Sequence, residues 1–561
     1  MLERNPSKLT NTNFDLVIVG GGIFGVCAAW DAILRGLTVA LVERSDFCGG
    51  TSANSYKIVH GGIRYVQHMD LVRVRESCRE RSSLLRVAPH LVQPLPIVIP
   101  TYGHGKSGKA LLAAGLLAYD LFTLDRNRRV QSSDRRIPRG RLLARDQVLD
   151  LFPGLKREGL TGGALFCDGQ MYNPTRLVIS FLRSAVAAGA VVANYVEAIG
   201  FLRSNQHIVG IEAVDRMTSE KFPIHGKVVL NATGPWAENL LARRLGIWLE
   251  RKATYSRDTC FVVPRQLKHS YALAVQGRTR DPDAILSRDA RHLFIVPWRT
   301  YSLIGVWHVV YDGDPDHITV TEQQLEGFID EINWAYPDLG LTLNDVLMWN
   351  AGLVPFGENA PGATHLSYGK RSLLIDHARE HGVAGLVTLI GIRYTMARGD
   401  AATAVDLVVK KLNRRMPRPA THIIPIHGGK IEHFSEFVRQ VSNRIPFPLA
   451  EPVLRALLHN YGSEYGRIIR YVEENLSWIE RIGDSTVIKA EVIHAVREEM
   501  ALKLADVVFR RTDLATGHHP GNEVLQTCAQ LMARERNWDT KRIREEIDEV
   551  NRTFPSLPLS M

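Results

Sequence analysis

The sequence lacks the features that assign a chain to a disulfide-stabilised, metal-binding or membrane-spanning class. Its six cysteines are spread over 561 residues without the spacing of a metal site or a redox pair, which fits a reducing cytosol. The longest apolar run, residues 110–124, is interrupted by Tyr119 and Asp120 and is too short to span a bilayer. Because the first thirteen residues are mostly polar, no secretory signal is expected. We therefore expect a cytoplasmic protein without a metal site, for which any membrane contact would be peripheral.

Internal repeats and low-complexity segments are also absent, and the composition is that of an ordinary globular protein. Apolar residues make up 45% of the chain and charged residues 23%. A chain of 561 residues is too long for one hydrophobic core, so two or three domains are expected. The net charge of +10 indicates attraction to acidic surfaces or to anionic substrates, without deciding between them.

Part of the positive charge is concentrated in one segment. Residues 126–145 contain eight arginines and one acidic residue, Asp134. A solvated linker is the simplest interpretation, and a patch that contacts an anionic membrane beside the apolar run 110–124 is the second. A nucleic-acid surface is not expected, because no binding motif or interleaved aromatic residues accompany the charge.

The stretch from residue 14 to residue 44 has the pattern of a dinucleotide-binding unit. An apolar strand at 15–19 leads directly into GGGIFG at 20–25, and apolar residues with helical spacing follow. A second apolar strand, 38–42, ends in Glu43. The order strand, glycine turn, helix, strand and acidic residue predicts a dinucleotide site far more strongly than the glycines alone.

Each residue type in this pattern has a physical reason. Gly20 permits a tight turn from strand to helix, Gly22 lets the backbone approach a pyrophosphate, and Gly25 lets helix and strand pack closely. Glu43 is placed to accept hydrogen bonds from the ribose hydroxyls of the adenosine. Only one such fingerprint is present, whereas an enzyme that exchanges electrons between a flavin and NAD(P) would usually need two. The nucleotide is therefore either NAD or FAD.

The rest of the chain alternates strands and helices up to about residue 416 and is helical beyond it. The run at 90–100 carries three prolines, so we expect it to be an edge strand or irregular. Further helices are expected at 71–87, 176–189 and 322–335, a strand pair at 190–195 and 208–214, strands at 293–297 and 301–306, and strand-to-turn units at 227–236 and 386–398.

Six separated segments show a family resemblance that covers essentially the whole chain. They are GGGIFG at 20–25, TSANSYKIVHGGIRY at 51–65, NATGPW at 231–236, RHLFIVPW at 291–298, YDGDP at 311–315 and EEMALKLADVVFRRT at 498–512. In these segments and their order the sequence resembles the FAD-dependent glycerol-3-phosphate dehydrogenases, within the D-amino-acid-oxidase-like flavoprotein superfamily. The resemblance implies an α/β fold: a Rossmann-like FAD-binding domain, a mixed-sheet substrate or cap domain, and an all-α C-terminal domain.

The resemblance also implies a reaction and domain boundaries. Such an enzyme oxidises the secondary alcohol of sn-glycerol 3-phosphate to dihydroxyacetone phosphate by hydride transfer to FAD and passes the electrons to a quinone. It would be cytoplasmic or would lie on the inner face of the cytoplasmic membrane. Whether it forms a homodimer stays open. The FAD-binding domain would comprise 14–100, 190–240 and 346–415, the cap domain 101–189 and 241–345, and the helical domain 416–561. Arg510 and Arg511 would end an amphipathic helix that caps the FAD-binding domain, with dimer contacts as the alternative.

The matching positions imply a set of FAD-binding residues. The hydroxyls at 51, 52 and 55 suit a second contact with the pyrophosphate, and backbone donors after residue 390 can stabilise negative charge on the reduced flavin. The full set is Gly20, Gly22, Ile23, Phe24, Gly25, Glu43, Arg44, Thr51, Ser52, Ser55, Lys57, His60, Gly61, Val196, Ala232, Thr233, Gly234, Trp236, Gly352, Gly391, Ile392, Arg393, Tyr394 and Thr395.

Four residues are implied in catalysis at the face of the flavin: His60, Arg64, Tyr65 and Arg393. Hydride transfer from a carbinol carbon needs an acceptor for the hydroxyl proton, and a histidine, with an ordinary pKa of about 6.5, suits that role. Arg64 can orient an anionic group, and Tyr65 can donate a hydrogen bond to it. The alternative for His60 is a structural histidine that packs on the flavin.

The substrate pocket departs from the family pattern at four places. The family's arginine before proline is Val354, its Gly-Gly-Lys turn reads Gly391-Ile392-Arg393, its serine-arginine pair reads Ser367-Tyr368, and its Gly-Thr-Thr-Asp segment reads Gly305-Val306-Trp307-His308. Losing two guanidinium groups around a phosphate removes contacts worth about 1.5–3 kcal/mol each. The residues that can compensate are Arg64, Arg393, Lys370 and Arg371.

Three interpretations of the function therefore stay open. The first is a glycerol-3-phosphate dehydrogenase that passes electrons to a quinone. The second is a divergent flavin oxidoreductase that acts on another alcohol or amine, with Trp307 and Tyr368 as an aromatic wall for a bulkier ligand. The third is a catalytically reduced flavoprotein with a binding role, against which the presence of His60, Arg64 and Tyr65 argues.

Overall fold

The computed structural model describes residues 1–66, 69–103, 109–249, 255–280, 290–355 and 371–555; the side chains of 64, 109–111, 279–280 and 290–291 are outside this description. In chain order the strands are β1 (Phe14–Val19), β2 (Val39–Val42), β3 (Ile58–Val59), β4 (Val92–Tyr102), β5 (Arg141–Leu143), β6 (Leu160–Met171), β7 (Val191–Ala193), β8 (Val196–Ser204), β9 (His207–Asp215), β10 (Lys221–Asn231), β11 (Tyr255–Pro264), β12 (Ala272–Arg280), β13 (Ala290–Trp298), β14 (Tyr301–Tyr311), β15 (Met348–Pro355), β16 (Leu373–Asp376) and β17 (Leu386–Ile390). The helices are α1 (Pro6–Thr10), α2 (Ile23–Leu34), α3 (Leu71–Val87), α4 (Lys109–Phe122), α5 (Arg145–Leu151), α6 (Pro174–Ala187), α7 (Ala237–Leu245), α8 (Glu322–Ala335), α9 (His377–Glu380), α10 (Ala397–Lys411), α11 (Phe434–Ser442), α12 (Glu451–Tyr461), α13 (Gly466–Glu474), α14 (Lys489–Glu498), α15 (Leu504–Asp506), α16 (Asn522–Arg536) and α17 (Thr540–Thr553).

The first sheet carries the predicted dinucleotide-binding unit. Its strand order is β16-β17-β10-β1-β2-β7, and β1 runs parallel to both β2 and β10. All residues of β1 are buried, as expected for a central parallel strand. Helices α6 and α10 pack against α2, where the rings of Trp30 and Phe181 meet edge to face at 5.4 Å. The predicted order of strand, glycine turn, helix and strand is confirmed.

The pairing of the next predicted strands differs from expectation. Strands at 190–195 and 208–214 are present, but they do not pair with each other. Instead β7 extends the first sheet beside β2, and β9 forms a hairpin with β8, a strand that the sequence analysis does not predict. Pairing of this kind depends on chain reversal at residues 205–206, which apolar spacing does not reveal.

The second sheet has the order β15-β11-β14-β13-β12-β4-β6-β3 and is largely antiparallel. The expectation of an edge strand at 90–100 is wrong, because β4 lies between β6 and β12. Its prolines, at 94, 96 and 100, have the same parity, so their missing N–H groups all fall on one side of the strand. Both β4 and β15, which the predicted boundaries place in the FAD-binding domain, belong to this second sheet. The domain boundaries themselves stay a prediction.

The C-terminal region is helical, as predicted, but residues 498–512 are not one helix. Helix α14 ends at Glu498, Met500 has a φ of 56°, and α15 is followed by a π-helical turn at Val507–Arg511. The break directs the buried Arg511 toward Asp46, whose two carboxylate oxygens accept its hydrogen bonds at 2.7 and 2.8 Å. Within the described residues, no helix has both the length and the apolar character that crossing a membrane requires.

Candidate active site

A cavity of about 1150 Å³ opens where the carboxyl ends of β1, β2, β10 and β17 face β11 and β15 of the second sheet. Sites for single small molecules usually have about 300–1000 Å³. This cavity therefore has room for a dinucleotide together with a small substrate. Its position, at the carboxyl ends of parallel strands, is where open α/β sheets bind nucleotides.

The glycine turn forms one wall of the cavity. Gly20 has a φ of 111°, and a Cβ built on it would lie 2.6 Å from the carbonyl oxygen of Ala232. Gly22 precedes α2 without a side-chain cap, and the N–H of Ile23 donates to Ser52 Oγ at 3.0 Å. The first turn of α2 thus directs backbone N–H groups and a positive helix end toward the cavity, and this fits the pyrophosphate of FAD.

Glu43 lies beside the glycine turn at the end of β2. Its Oε2 accepts from the N–H of Gly21 at 2.7 Å, and its Oε1 accepts from the N–H of Ser45 at 3.0 Å. Oε1 also accepts from Ser45 Oγ at 3.1 Å, whereas Oε2 keeps a second lone pair with which the fixed carboxylate can accept from a ribose hydroxyl. This fits the role that its distance from Gly20 predicts.

Arg44 and Trp236 meet at the nucleotide end of the cavity. The guanidinium lies 4.7 Å from the centroid of the Trp236 ring, and both side chains donate to the carboxylate of Asp316. Because Asp316 belongs to the loop after β14, this contact joins the two sheets over the cavity. It brings the predicted cofactor residues Arg44 and Trp236 together.

The predicted catalytic residues converge at the other end. The N–H of His60 donates to Thr395 Oγ1 at 3.2 Å, and its ring meets that of Tyr65 edge to face at 5.9 Å. The guanidinium of Arg393 lies 5.2 Å from the centroid of the Tyr65 ring. The side chain of Arg64 lies outside the described residues. The structure thus brings His60, Tyr65 and Arg393, three residues separated in sequence, into one cluster.

Three predicted cofactor residues do not line the cavity, whereas the others do. Gly25 packs on the backbone of Gly20, where an added Cβ would lie 2.0 Å from the carbonyl oxygen. Lys57 is buried beneath the site, with Nζ donating to the carbonyl oxygen of Ser55 at 3.2 Å, and burial lowers its pKa. Gly61 is buried as well, and its N–H donates to Asp168 at 2.6 Å. These positions support the wall of the cavity from behind.

Two of the four departures from the family pattern, Val354 on β15 and residues 305–308 on β14, lie on either side of β11. Val354 lies opposite Ser256, and Asp258 lies opposite both Gly352 and His308. The Nδ1 of His308 is 2.7 Å from Asp258 Oδ1, and Ser256 Oγ donates to the same oxygen at 2.6 Å. Val354, Asp258 and Val306 line the cavity. A carboxylate and apolar groups therefore occupy the end where the family has an arginine.

Trp307 does not form the aromatic wall that the sequence analysis proposes. Its ring stacks on Phe328 of α8 at 5.4 Å, on the face of the sheet away from the cavity. Ser367, Tyr368 and Lys370 lie outside the described residues. Cavity residues that the sequence analysis missed are Tyr56, Arg73, Asp258, Cys260 and Trp349. No alternation marks Asp258 and Cys260 in the sequence, because the residues beside them at 257 and 259 are polar as well.

Comparisons with known proteins agree with this geometry. Residues 15–395 match the family described as FAD dependent oxidoreductase, and residues 419–543 match the C-terminal domain of alpha-glycerophosphate oxidase. A glycerol-3-phosphate dehydrogenase of Synechocystis sp. is 33% identical over 98% of this chain and 97% of its own length. The aerobic glycerol-3-phosphate dehydrogenase of Staphylococcus epidermidis is 30% identical over 91% of this chain and 89% of its own.

A solved structure shows the same fold. The glycerol-3-phosphate dehydrogenase from Bacillus halodurans, complexed with FAD, superposes with a TM-score of 0.75. The alignment covers 99% of this chain and 98% of that protein at 23% identity. Both sheets and the helical C-terminal region are therefore common to the two architectures.

Proposed function

This chain belongs to the family of FAD-dependent oxidoreductases, and we propose that within it the chain is a glycerol-3-phosphate dehydrogenase. Its cofactor is FAD, for which the turn at Gly20–Gly22, the carboxylate of Glu43 and Ser52 form the cradle. The observation that carries the proposal is the cluster of His60, Tyr65 and Arg393 at the far end of the same cavity. That end has room for a small anionic alcohol.

The roles of the residues follow from the reaction. Bound FAD supplies the acceptor for the hydride that leaves C2 of sn-glycerol 3-phosphate. As the C2 carbonyl forms, the hydroxyl proton passes to the imidazole of His60. The backbone N–H of His60 donates to Thr395 Oγ1, and this hydrogen bond holds the residue in place. Arg393 and Tyr65 bind the phosphate and fix C2. The apolar side chains of Ile392 and Val306 line the same cavity and exclude water.

Anaerobic reduction of the bound flavin tests the proposal. Adding sn-glycerol 3-phosphate to the FAD-loaded protein should bleach the visible flavin absorbance within seconds, whereas glycerol at the same concentration should not. Amino acids and uncharged polyols complete the panel. Bleaching by one of these compounds alone would replace the proposal with the divergent oxidoreductase. The observation that favours this alternative is Val354, which lies beside Asp258 at a position where the family has an arginine. If no compound reduces the flavin, the remaining interpretation is a catalytically reduced flavoprotein with a binding role.

We propose that the electrons pass to a quinone at an anionic membrane that contacts one surface of the protein. Along α4 and its C-terminal end, Leu117, Leu121, Phe122 and Leu124 are 44–67% exposed. Exposed arginines follow at 128, 129, 136, 139 and 141. An apolar helix face flanked by cations is the composition of an in-plane membrane contact.

The basic segment behind this surface is folded. Arg126 pairs with Asp120 at 3.0 Å, and the Nε of Arg135 donates to the carbonyl oxygen of Pro89 at 2.6 Å. Both side chains are buried, so a solvated linker describes the segment poorly. The second interpretation of residues 126–145, a membrane patch, is the one we retain. A homodimer stays a prediction, which sedimentation of the FAD-loaded protein can test.

A further inference from the structure

Arg73 is a cation in the wall of the cavity that no family motif accounts for. It belongs to the first turn of α3, and its side chain is only 9% exposed although it lines the cavity. Its guanidinium carbon lies 4.5 Å from the centroid of the Tyr65 ring. A nearly buried guanidinium is costly unless its donors are satisfied.

The hydrogen bonds of Arg73 use only some of its N–H donors. Its Nε donates to Asp70 Oδ2 at 2.6 Å, and Asp70 also caps α3 through the N–H of Arg73. No hydrogen bond joins its two terminal nitrogens to another residue in the described ranges. A guanidinium has five N–H donors, so this side chain retains a planar pair that matches a phosphate or a carboxylate.

Arg393 approaches the same tyrosine, at 5.2 Å from its ring centroid. Its Nη1 donates to Ser77 Oγ at 3.3 Å, on the helix that also carries Arg73. Arg371, which lies just before β16, is close enough for its charge to help lower the pKa of Asp70. Asp400 acts on Arg393 from outside the cavity, and the carboxylate that lines the cavity beside these guanidinium groups is Asp70.

The part of the cavity lined by β11 and β15 has the reverse polarity. Asp258, whose side chain is 24% exposed, faces the cavity between Ser256 and His308, and Val354 offers no donor. Placing a phosphate beside that carboxylate would be repulsive, with no cation from Val354 to offset it. The cavity is thus cationic at Tyr65 and acidic or apolar at Val354.

We propose that Arg73 is a specificity-determining residue that binds the phosphate of the substrate and supplies the charge that the family places at Val354. For the identity of the anion as a phosphate ester, this inference rests on the proposed function. It assigns an orientation: the phosphate lies against Tyr65 between Arg73 and Arg393, and the uncharged hydroxyl end points toward Asp258.

Substitution of Arg73 tests the assignment. In the FAD-loaded protein, R73Q should raise the KM for sn-glycerol 3-phosphate by roughly 10- to 100-fold, the factor that one charge-assisted hydrogen bond provides. The rate of flavin reduction at saturation should change less than about threefold, since a binding charge acts on substrate and transition state alike. R73K should recover part of the affinity. R79Q, which removes an exposed arginine of the same helix, is the matched control.

A binding measurement separates this inference from the proposed function. Inorganic phosphate should perturb the spectrum of the oxidised flavin, with an affinity that R73Q lowers and R79Q does not. If wild-type flavin resists reduction by glycerol 3-phosphate while phosphate binding still depends on Arg73, the proposed function fails and the anion site stands. If glycerol 3-phosphate reduces the flavin and R73Q changes neither KM nor phosphate affinity, the anion site is refuted and the function stands.

The variant D70N excludes a merely structural role for Arg73. Asparagine keeps one oxygen for the cap of α3, loses the acceptor for Arg73 Nε and removes the competing negative charge. The proposal therefore expects phosphate affinity to stay equal or to increase. A loss in D70N as large as that in R73Q would mean that Arg73 only anchors Asp70 and the start of α3, and would overturn the assignment. FAD content and thermal midpoint should be measured for each variant to confirm folding.

Discussion

At the scale of single residues, His60 is the candidate general base, and two of its contacts are with Thr395 and Tyr65. Its backbone N–H donates to Thr395, and its ring packs edge to face on Tyr65. We therefore expect H60N to retain FAD and to lower the rate of flavin reduction by about 10²- to 10⁴-fold, the usual contribution of a general base. Stopped-flow absorbance under anaerobic conditions measures this rate. A loss of less than tenfold would favour the structural histidine that packs on the flavin.

Val354 offers the complementary experiment. An arginine at this position would extend from β15 into the cavity. Asp258 lies nearby on β11, since Val354 is opposite Ser256 and Gly352 is opposite Asp258. V354R should pair with Asp258 and neutralise its charge without touching the phosphate, so kcat/KM for sn-glycerol 3-phosphate should rise by less than the roughly tenfold of a direct charge-assisted contact. V354M adds similar bulk without charge and serves as the control. An equal effect in the two variants, or no gain in V354R, would contradict our account of this departure from the family.

The positions of candidate site residues can be predicted from sequence where they are local to a turn. Gly20, Gly22 and Glu43 line the cavity because a strand, a turn and the next strand fix their relative positions. Trp307 was assigned to the cavity and lies on the other face of β14, since neighbouring residues of a strand point in opposite directions. Arg73 was missed because its meeting with Tyr65 and Arg393 depends on tertiary packing.

At the scale of structural elements, the loop 45–55 depends on the C-terminal helices. Its Asp46 is buried and accepts hydrogen bonds from Arg510 and Arg511, the residues that follow α15. Burial alone would raise the pKa of Asp46, but the charges of Arg511 and Arg510 outweigh it and lower the pKa to about 2. Since the same loop carries Ser52 and Thr51, the helical domain fixes part of the cofactor cradle.

Removing one partner of this buried pair should therefore weaken cofactor binding. R511M leaves the charge of Asp46 less compensated, and such losses cost about 3–5 kcal/mol. We expect a lower thermal midpoint and loss of FAD on gel filtration. R497Q, which removes partly exposed contacts to Glu474 and Glu535 inside the helical domain, should retain FAD. Equal FAD retention in R511M and wild type would show that the C-terminal helices do not support the loop.

The membrane contact can be tested on α4. Replacing Leu117 and Leu121 with glutamate removes two exposed apolar side chains and adds negative charge beside the arginines. Since burying a leucine contributes about 1.5–3 kcal/mol, co-sedimentation with anionic vesicles should weaken by at least about 100-fold. The control is L476E, which alters a leucine 65% exposed on the helical domain. Vesicle binding that α4 substitution leaves unchanged would refute this surface.

Helices and strands could be predicted from sequence where the apolar spacing that marks them is local. The helices expected at 71–87 and 322–335 are present with the same bounds. The strand at 90–100 is present too, but its interior position in the sheet was not predicted, since three prolines favour an edge. Arg510 and Arg511 were expected at the end of a helix and do end one, but its π-helical turn and their pairing with Asp46 depend on tertiary packing.

At the scale of the whole molecule, one buried histidine, His90, and two half-buried ones, His427 and His459, lie along the contact between the FAD-binding part and the helical domain. His459 Nδ1 is 2.6 Å from the carbonyl oxygen of His90, and its ring stacks on Tyr172 at 4.2 Å. The backbone N–H of His427 donates to Ser184 Oγ at 2.8 Å. Burial lowers the pKa of His459 to about 3 and that of His427 to about 2, and it lowers the pKa of His90 well below its ordinary value.

These histidines make the folded protein sensitive to mild acid. Below about pH 6.5 the unfolded chain binds protons that the folded one does not, so each histidine removes about 1.4 kcal/mol of stability per pH unit. Because an unfolded histidine is already half protonated at pH 6.5, the full slope applies only at lower pH, and three of them predict a loss of about 3 kcal/mol between pH 6.5 and 5.5, while stability above pH 7 should be flat with respect to these groups. Urea unfolding of the FAD-loaded protein at pH 7.5, 6.5 and 5.5 measures the slope. H459N should reduce that slope by about one proton, and H225N, at an exposed position of β10, should not. A wild-type midpoint that is unchanged down to pH 5.5 would show that these histidines do not link protonation to unfolding.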